Sequence, residues 1–204
     1  IQQFRIDAGG DVFRADGFAV VEDDDRVAPA LDDHFAHTGF SFDLGDMTAR
    51  AIATLRAASV IACEDTRVTS VLLRRFGIAT PMTPYHDHNA ERVRPQILAR
   101  LAAGESAALV SDAGTPLVSD PGYKLVRAAL DAGLTVTAVP GPSAALAALQ
   151  LAGLPCERFF FAGFLPPKTA ARTKELAALA LVPAALVFYE TAPRLADSLA
   201  DMAA

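Results

Sequence analysis

The sequence has only two cysteines, Cys63 and Cys156, in 204 residues. Two are too few for a disulfide framework, and they lack metal-ligand spacing, so both read as reduced thiols. No apolar run is long enough to span a membrane, because Gly, Pro or a charge interrupts each one. The opening residues, IQQFRIDAGGD, lack the basic-then-apolar order of a secretory signal. Nowhere does GxxxxGK precede Ser or Thr, and no GxGxxG follows a strand-like run, so neither a phosphate-binding loop nor a dinucleotide-type loop is supported. His86 and His88 stand two apart in Tyr85-His86-Asp87-His88-Asn89. They have no neighbouring Cys and no third clear ligand, so no metal is assigned.

What is present is a chain able to fold. It is 52% apolar and 21% charged, ample for a packed core. Its length suits one large domain, or one domain and part of another. The net charge of −6 is unevenly spread. Residues 1–46 carry eleven acidic against three basic groups, whereas Thr66–Arg100 carries six Arg against Asp87 and Glu91. The acidity is local, and it does not exclude an anionic partner elsewhere on the surface.

From Asp46 onward, strand-length apolar runs alternate with helix-length amphipathic ones. The pattern predicts helices over Thr48–Ala57, Thr69–Phe76, Glu91–Ala103, Gly122–Ala132 and Ala144–Ala152. Between them it predicts strands at Val60–Cys63, Ala107–Val110 and Leu134–Val139. Strands separated by single helices imply right-handed crossovers and a parallel sheet. After Gly153 the texture changes. Phe159–Phe161 and Ala184–Tyr189 are strand-like, and Arg172–Ala180 is helical. The expected organisation is an unrecognised acidic segment over 1–42, a first α/β domain over 43–153, and the start of a second, incomplete α/β domain over 154–204. Within the acidic segment, Phe18–Val21 is a candidate strand, and Glu22–Asp25 and Asp32-Asp33 read as solvated turns.

Parallel sheets bind ligands beyond the carboxyl ends of their strands. Three predicted strand ends are rich in small residues, Pro and carboxylates. They are Glu64-Asp65-Thr66-Arg67, Ser111-Asp112-Ala113-Gly114-Thr115-Pro116, and Pro140-Gly141-Pro142-Ser143-Ala144. Gly allows positive φ and close approach of a ligand to the backbone, and Pro fixes a turn. Taken singly, each is an ordinary βα turn, with Ser143 a helix cap. Together on one edge they mark a pocket, in which Asp112 can accept hydrogen bonds from an amine or ribose hydroxyl.

These segments carry a specific resemblance. CEDTR at Cys63–Arg67, YHDHN at Tyr85–Asn89, SDAGTPLVSDPGY at Ser111–Tyr123, PGPSA at Pro140–Ala144, GFLPPK at Gly163–Lys168 and FYET-PR at Phe188–Arg194 occur in one order. The chain from about residue 43 to 204 resembles the ribosomal RNA small subunit methyltransferase I family, of the tetrapyrrole methylase superfamily. The resemblance implies a tetrapyrrole methylase-like α/β fold with a parallel-sheet N-terminal domain. It implies methyl transfer from S-adenosyl-L-methionine to the 2′-hydroxyl of a cytidine in small-subunit rRNA or the assembled small ribosomal subunit. A cytoplasmic homodimer with the cofactor between domains is implied as well. Cofactor contacts then fall on Ser111, Asp112, Ala113, Gly114, Thr115, Ser143, Ala144 and Leu165.

A ribose hydroxyl is a poor nucleophile, so a carboxylate or imidazole should take its proton. Asp65, Glu64 and His86 are the assigned candidates, with Glu190 also considered. Arg67, Lys168 and Arg194 are assigned to the RNA; Arg74, Arg75 and Arg172 also read as able to meet phosphates. Of the family's first loop only Leu44-Gly45-Asp46 is present, which keeps a catalytically idle RNA- or ribosome-binding relative as one alternative. A tetrapyrrole C-methyltransferase on the same fold is the other.

Overall fold

The structure, a computed structural model, describes residues 12–15, 18–21, 34–35, 42–111, 116–117 and 122–204. The acidic turns expected at Glu22–Asp25 and Asp32-Asp33 lie outside the described residues. Described residues fall into two compact units: one combines His34–Phe35 with the chain from Phe42 to Pro142, and the other combines Val12–Ala15 and Phe18–Val21 with Ser143–Ala204.

The elements in chain order are β1 (Val12–Ala15), β2 (Phe18–Val21), β3 (His34–Phe35), β4 (Phe42–Asp43), a 3₁₀ turn at Leu44–Asp46, α1 (Ala49–Ala57), β5 (Val60–Cys63), α2 (Thr66–Arg75), β6 (Met82–Pro84), α3 (Ala90–Ala102), β7 (Ala107–Val110) and α4 (Tyr123–Asp131). Then come α5 (Ala144–Ala152), β8 (Phe159–Phe164), α6 (Thr169–Leu179), β9 (Ala185–Tyr189) and α7 (Ala192–Met202). No helix among the described residues is long and apolar enough to cross a membrane.

In the first unit the sheet order is β6-β5-β7, all parallel, and β3 and β4 form a separate antiparallel pair. Central β5 is buried at all four positions. A parallel strand covered on both faces reads as a continuous apolar run. Side chains alternate between faces. Ile61 and Cys63 pack with Leu55 of α1 and Leu73 of α2, while Ala62 packs with Val93 and Ile97 of α3 and Leu125 of α4. Helices therefore lie on both faces. Thr48 caps α1 by accepting a hydrogen bond from the Ala51 amide at 3.1 Å, and Gly77, at φ +59, follows the end of α2.

Leu134–Val139 is not a strand, which corrects the expectation from its alternating apolar pattern. A strand exists only where a neighbour completes the hydrogen-bond ladder. No described strand pairs with this segment, and Val136 is exposed.

In the second unit the order is β1-β2-β9-β8; β2, β9 and β8 run parallel, and β1 pairs antiparallel with β2. The same alternation recurs. Val187 and Tyr189 face Ala145 and Leu149 of α5, and Leu186 and Phe188 pack with Leu176 of α6 and with Leu165, which follows β8. Because α5 packs on β1, β2 and β9, the division falls at Pro142/Ser143 rather than after Gly153. The β8–β9 register shifts between Phe161 and Gly163, where Gly163 holds φ +66. Such a bulge re-aims the end of a strand.

Gly122 opens α4 at φ +127, and a Cβ built there would lie 2.6 Å from Leu109 Cδ2. An L-residue at that φ is strained, and the added methyl would overpack the Leu109 side of the core. Gly122→Ala is expected to cost roughly 2–4 kcal/mol. Denaturant unfolding showing a loss below about 0.5 kcal/mol, within the range of ordinary surface changes, would refute this account of the turn.

Candidate functional site at the sheet edges

The carboxyl ends of β5, β6 and β7 lie level, since Cys63 registers with both Pro84 and Val110. The residues that follow, Glu64, Tyr85 and Ser111, therefore start three loops from one edge. The chain leaving β5 turns into α2 on one face, whereas those leaving β6 and β7 lead to α3 and α4 on the other. Loops diverging from adjacent parallel strands open a crevice between them. Glu64, Asp65, Arg67, His86 and Ser111 are thus brought to one edge. Asp112, Ala113, Gly114 and Thr115, the rest of the expected cofactor loop, lie outside the described residues. Past them, Leu117 is exposed and holds φ +77, a left-handed backbone that costs a leucine about 1–2 kcal/mol.

Asp65 caps α2: its carboxylate accepts from the Arg67 amide at 2.8 Å and from the Arg67 Nε at 3.0 and 3.1 Å. The Arg67 guanidinium and backbone amide hold its pKa down from 3.8 to about 2. A carboxylate that acidic is a poor proton acceptor. Arg67 is 89% exposed along its side chain yet committed to Asp65, so its charge is locally balanced. Glu64 is exposed at the edge.

The loop after β6 is tied down more firmly. Asn89 Oδ1 accepts from the His86 amide at 3.0 Å, and Asn89 Nδ2 donates to the Pro84 carbonyl at 2.9 Å. His86 Nδ1 is buried with no hydrogen-bond partner among the described residues, and the ring meets His88 edge-on at 5.9 Å. Tyr85 is buried and its phenol pKa is raised by burial, against the opposing Arg94 charge. Arg94 in turn holds the Glu91 carboxylate below its usual range.

Asp65 gives a pH prediction. Its pKa is depressed in the folded state, so its contribution is present above about pH 4 and is lost as pH falls through about 2. Asp65→Asn is expected to lower the melting temperature at pH 6 and to shrink that difference as pH approaches 2. A melting difference unchanged between pH 6 and pH 2.5 would show that the Arg67 pairing does not act on folding.

The second unit has its own carboxyl edge, where β8 leads into Leu165–Lys168 and β9 into Glu190. Glu190 is only 3% exposed. Its carboxylate accepts from the Thr191 amide at 2.8 Å and the Ser198 hydroxyl at 2.6 Å, and pairs with Arg194 at 3.1 Å. Arg194 also donates to the Leu165 carbonyl at 2.6 Å. Arg172 is not a surface phosphate ligand: it is 3% exposed and bonds Asp201 of α7, with Nε to Oδ2 at 2.7 Å. A guanidinium in this interior is retained because a carboxylate neutralises it. Lys168 is exposed at the start of α6. Ser143 stands at the N-cap of α5 without a side-chain cap bond, and Ala144 packs against the α5 core. The Glu190–Arg194–Ser198 network was missed as a unit, although its four-residue spacing was a readable signal for one helix face.

The comparisons agree with this architecture. A family model described as "Tetrapyrrole (Corrin/Porphyrin) Methylases" matches residues 42–204. A Mesorhizobium japonicum protein named "Ribosomal RNA small subunit methyltransferase I" is 56% identical over 160 residues, covering 78% of this chain and 54% of the relative. One of the same name from Escherichia coli O157:H7 is 49% identical over 162 residues, covering 79% and 57%. Another, from Micromonospora olivasterospora, aligns over 205 residues at 45% identity, covering 100% of this chain and 64% of its own. Residues 1–42, which the sequence left unassigned, thus have counterparts in that relative. The chain spans between about half and two thirds of these relatives' length. Among solved structures, a conserved hypothetical protein of Aeropyrum pernix K1 is 25% identical with a TM-score of 0.52, covering 67% of this chain and 48% of that one. A parallel α/β sheet with its loops gathered at one edge, and a family match running from residue 42 to the last residue, place this chain in the tetrapyrrole (corrin/porphyrin) methylase family.

Proposed function

We propose that this chain is part of an S-adenosyl-L-methionine-dependent enzyme that methylates the 2′-hydroxyl of a cytidine in small-subunit ribosomal RNA. The observation that carries the proposal is the 56% identity over 160 residues to a protein named for that ribosomal substrate class. Many tetrapyrrole methylases share the fold, so the fold alone does not choose the substrate. We further assign the protein to the cytoplasm, where ribosomal subunits are built, and to a homodimer.

The edge of the first unit suits a cationic, ribose-bearing cofactor. It offers the exposed Glu64 carboxylate and the half-buried Ser111 as acceptors. When bound, the cofactor supplies an activated methyl carbon on its sulfonium sulfur. The chain's own task is then alignment and deprotonation. Ser111 and Asp112–Thr115 of this unit are proposed to hold the cofactor, with Glu64 and His86 nearest the nucleophile; of the other expected contacts, Ser143, Ala144 and Leu165, all in the second unit, Leu165 is buried and its carbonyl is taken by Arg194. Asp65 is better suited to hold Arg67 and α2 than to move a proton, given its pKa of about 2. Exposed Lys168 and Arg74 are available to phosphates. Arg67 and Arg194 enter that role only by exchanging their carboxylate partners for RNA.

The test is incorporation of labelled methyl into isolated small ribosomal subunits, followed by nucleoside analysis. A 2′-O-methylcytidine peak that weakens with rising salt, and more steeply for wild type than for Arg67→Ala/Lys168→Ala, is expected. Label appearing only on a porphyrinoid, or no label on RNA from the intact protein, would overturn the reading.

A further inference from the structure

Tyr123 opens α4 with 68% of its surface exposed. Single exposed apolar side chains are ordinary on a protein surface; the surroundings of this one are not. Three contacts place the first turn of α4 at the carboxyl edge of the first unit's sheet. Gly122 stands so near the end of β7 that a Cβ on it would meet Leu109 Cδ2 at 2.6 Å. Leu125 shares a core cluster with Tyr85, the residue after β6 and before His86. Lys124 Nζ lies 3.7 Å from Glu91 Oε1 in the first turn of α3. Helix side chains lean toward the N-terminus of their helix. A ring on the first residue of α4 therefore reaches past the helix end, toward the edge that holds Glu64 and His86.

Charge is the second observation. Helices α3 and α4 carry Arg92, Arg94, Arg100, Lys124 and Arg127 against only Glu91 and Asp131, in a chain whose net charge is −6. The Lys124 side chain is 66% exposed, and Arg92 is exposed as well. An aromatic face bordered by exposed cations suits a single-stranded nucleic acid, because a base stacks on the ring while a cation meets the phosphate. We propose that Tyr123 stacks on a base of the substrate RNA, with Lys124 taking an adjacent phosphate, and so fixes the strand over the sheet edge of the first unit. This rests on the reading that the protein methylates RNA. Stacking makes no use of a base's hydrogen-bonding edges, so the contact holds the strand without choosing its sequence.

Tyr123→Ala, Tyr123→Phe, Tyr123→Trp and Lys124→Ala are compared with wild type, and Leu130→Ala, exposed farther along α4, is the control. Thermal unfolding first establishes folding, and calorimetry with S-adenosylhomocysteine should give the wild-type affinity throughout. Tyr123→Ala should bind a cytidine oligoribonucleotide about tenfold or more weakly, within the range for one lost stacked base. Tyr123→Phe and Tyr123→Trp keep a ring and should stay within about twofold of wild type. Lys124→Ala should reduce the salt dependence of binding by about one charge, whereas Tyr123→Ala should leave that slope unchanged. In the methylation assay KM for small subunits should rise in Tyr123→Ala by a like factor, with kcat at saturation within about twofold. This chain has no tryptophan, so Tyr123→Trp also supplies a direct signal. Its fluorescence should be quenched by the oligonucleotide and not by an abasic oligomer of equal length. Equal quenching by both, or Tyr123→Ala binding RNA as wild type does, would overturn the proposal. A changed oligomeric state in Tyr123→Ala at unaltered RNA affinity would overturn it too, by making the ring a protein contact. Wild type that neither binds the oligonucleotide nor labels small subunits sinks the RNA reading itself, an outcome distinct from RNA binding that ignores Tyr123.

Discussion

His86→Ala is expected to lower kcat for RNA methylation by about 10²–10⁴, the usual weight of a positioned proton acceptor. Three features of the sheet edge lead there. Asp65 is withdrawn from base chemistry by Arg67, which holds its pKa at about 2. Glu64 is exposed, so water competes for its charge. His86, by contrast, sits on a loop locked by Asn89 on both sides, with a buried Nδ1 that no described residue occupies. An imidazole ring nitrogen with a free lone pair can accept a proton, and the His86 residue as a whole is only half-buried at this edge. His86→Asn keeps size and polarity but not basicity, and should fall nearly as far as the alanine variant. Glu64→Gln should lose less than tenfold. The check is methylation of small subunits under saturating cofactor by wild type and the three variants. Retention of more than a tenth of wild-type kcat by His86→Ala would remove His86 from the reaction.

The largest stability effect is expected at Glu190. Glu190→Ala should cost about 3–5 kcal/mol in the second unit, the range for one partner removed from a buried ion pair. The substitution takes three interactions at once: it leaves Arg194 without its counter-charge, and it strips the acceptor from the Ser198 hydroxyl and the Thr191 amide. Glu190→Gln retains one acceptor oxygen and nearly the same shape, so it should cost less than half as much. Ser198→Ala removes a donor from a carboxylate that keeps two others, and should cost about 1–3 kcal/mol. Denaturant titrations of the three variants rank the contributions. A Glu190→Ala loss below about 1 kcal/mol, or equal losses for Ala and Gln, would mean that the carboxylate does not organise this core.

Some of this was written plainly in the chain. Val60–Cys63 and Ala107–Val110 are strands at the predicted bounds, because β5 has helices on both faces and must be apolar throughout. The helix ends at Gly77, Gly104, Gly133 and Gly153 were equally legible, since each follows a helix and holds positive φ. Glu64, Asp65 and Ser111 could be assigned to one edge from strand order alone, without any side-chain geometry. Edge strand β6 escaped notice. Met82-Thr83-Pro84 is three residues long, ends in proline and is only partly buried, so nothing local separates it from a turn.

What local pattern determined, then, was which segments bury both faces, where helices stop, and which loops leave the strand ends. The tertiary structure decided the questions that depend on a distant partner. Leu134–Val139 carries a strand pattern, yet no described neighbour supplies its ladder. Arg172 looks like any cation on an amphipathic helix until Asp201, 29 residues on, neutralises it in the interior. Helix α5 reads as the last element of the first domain until its Ala145 and Leu149 are seen against Val187 and Tyr189. Hydrophobic periodicity is a property of neighbours in the chain. Ladder pairing, charge neutralisation and the sheet a helix covers are set by residues far apart in it, and only the folded chain brings those together.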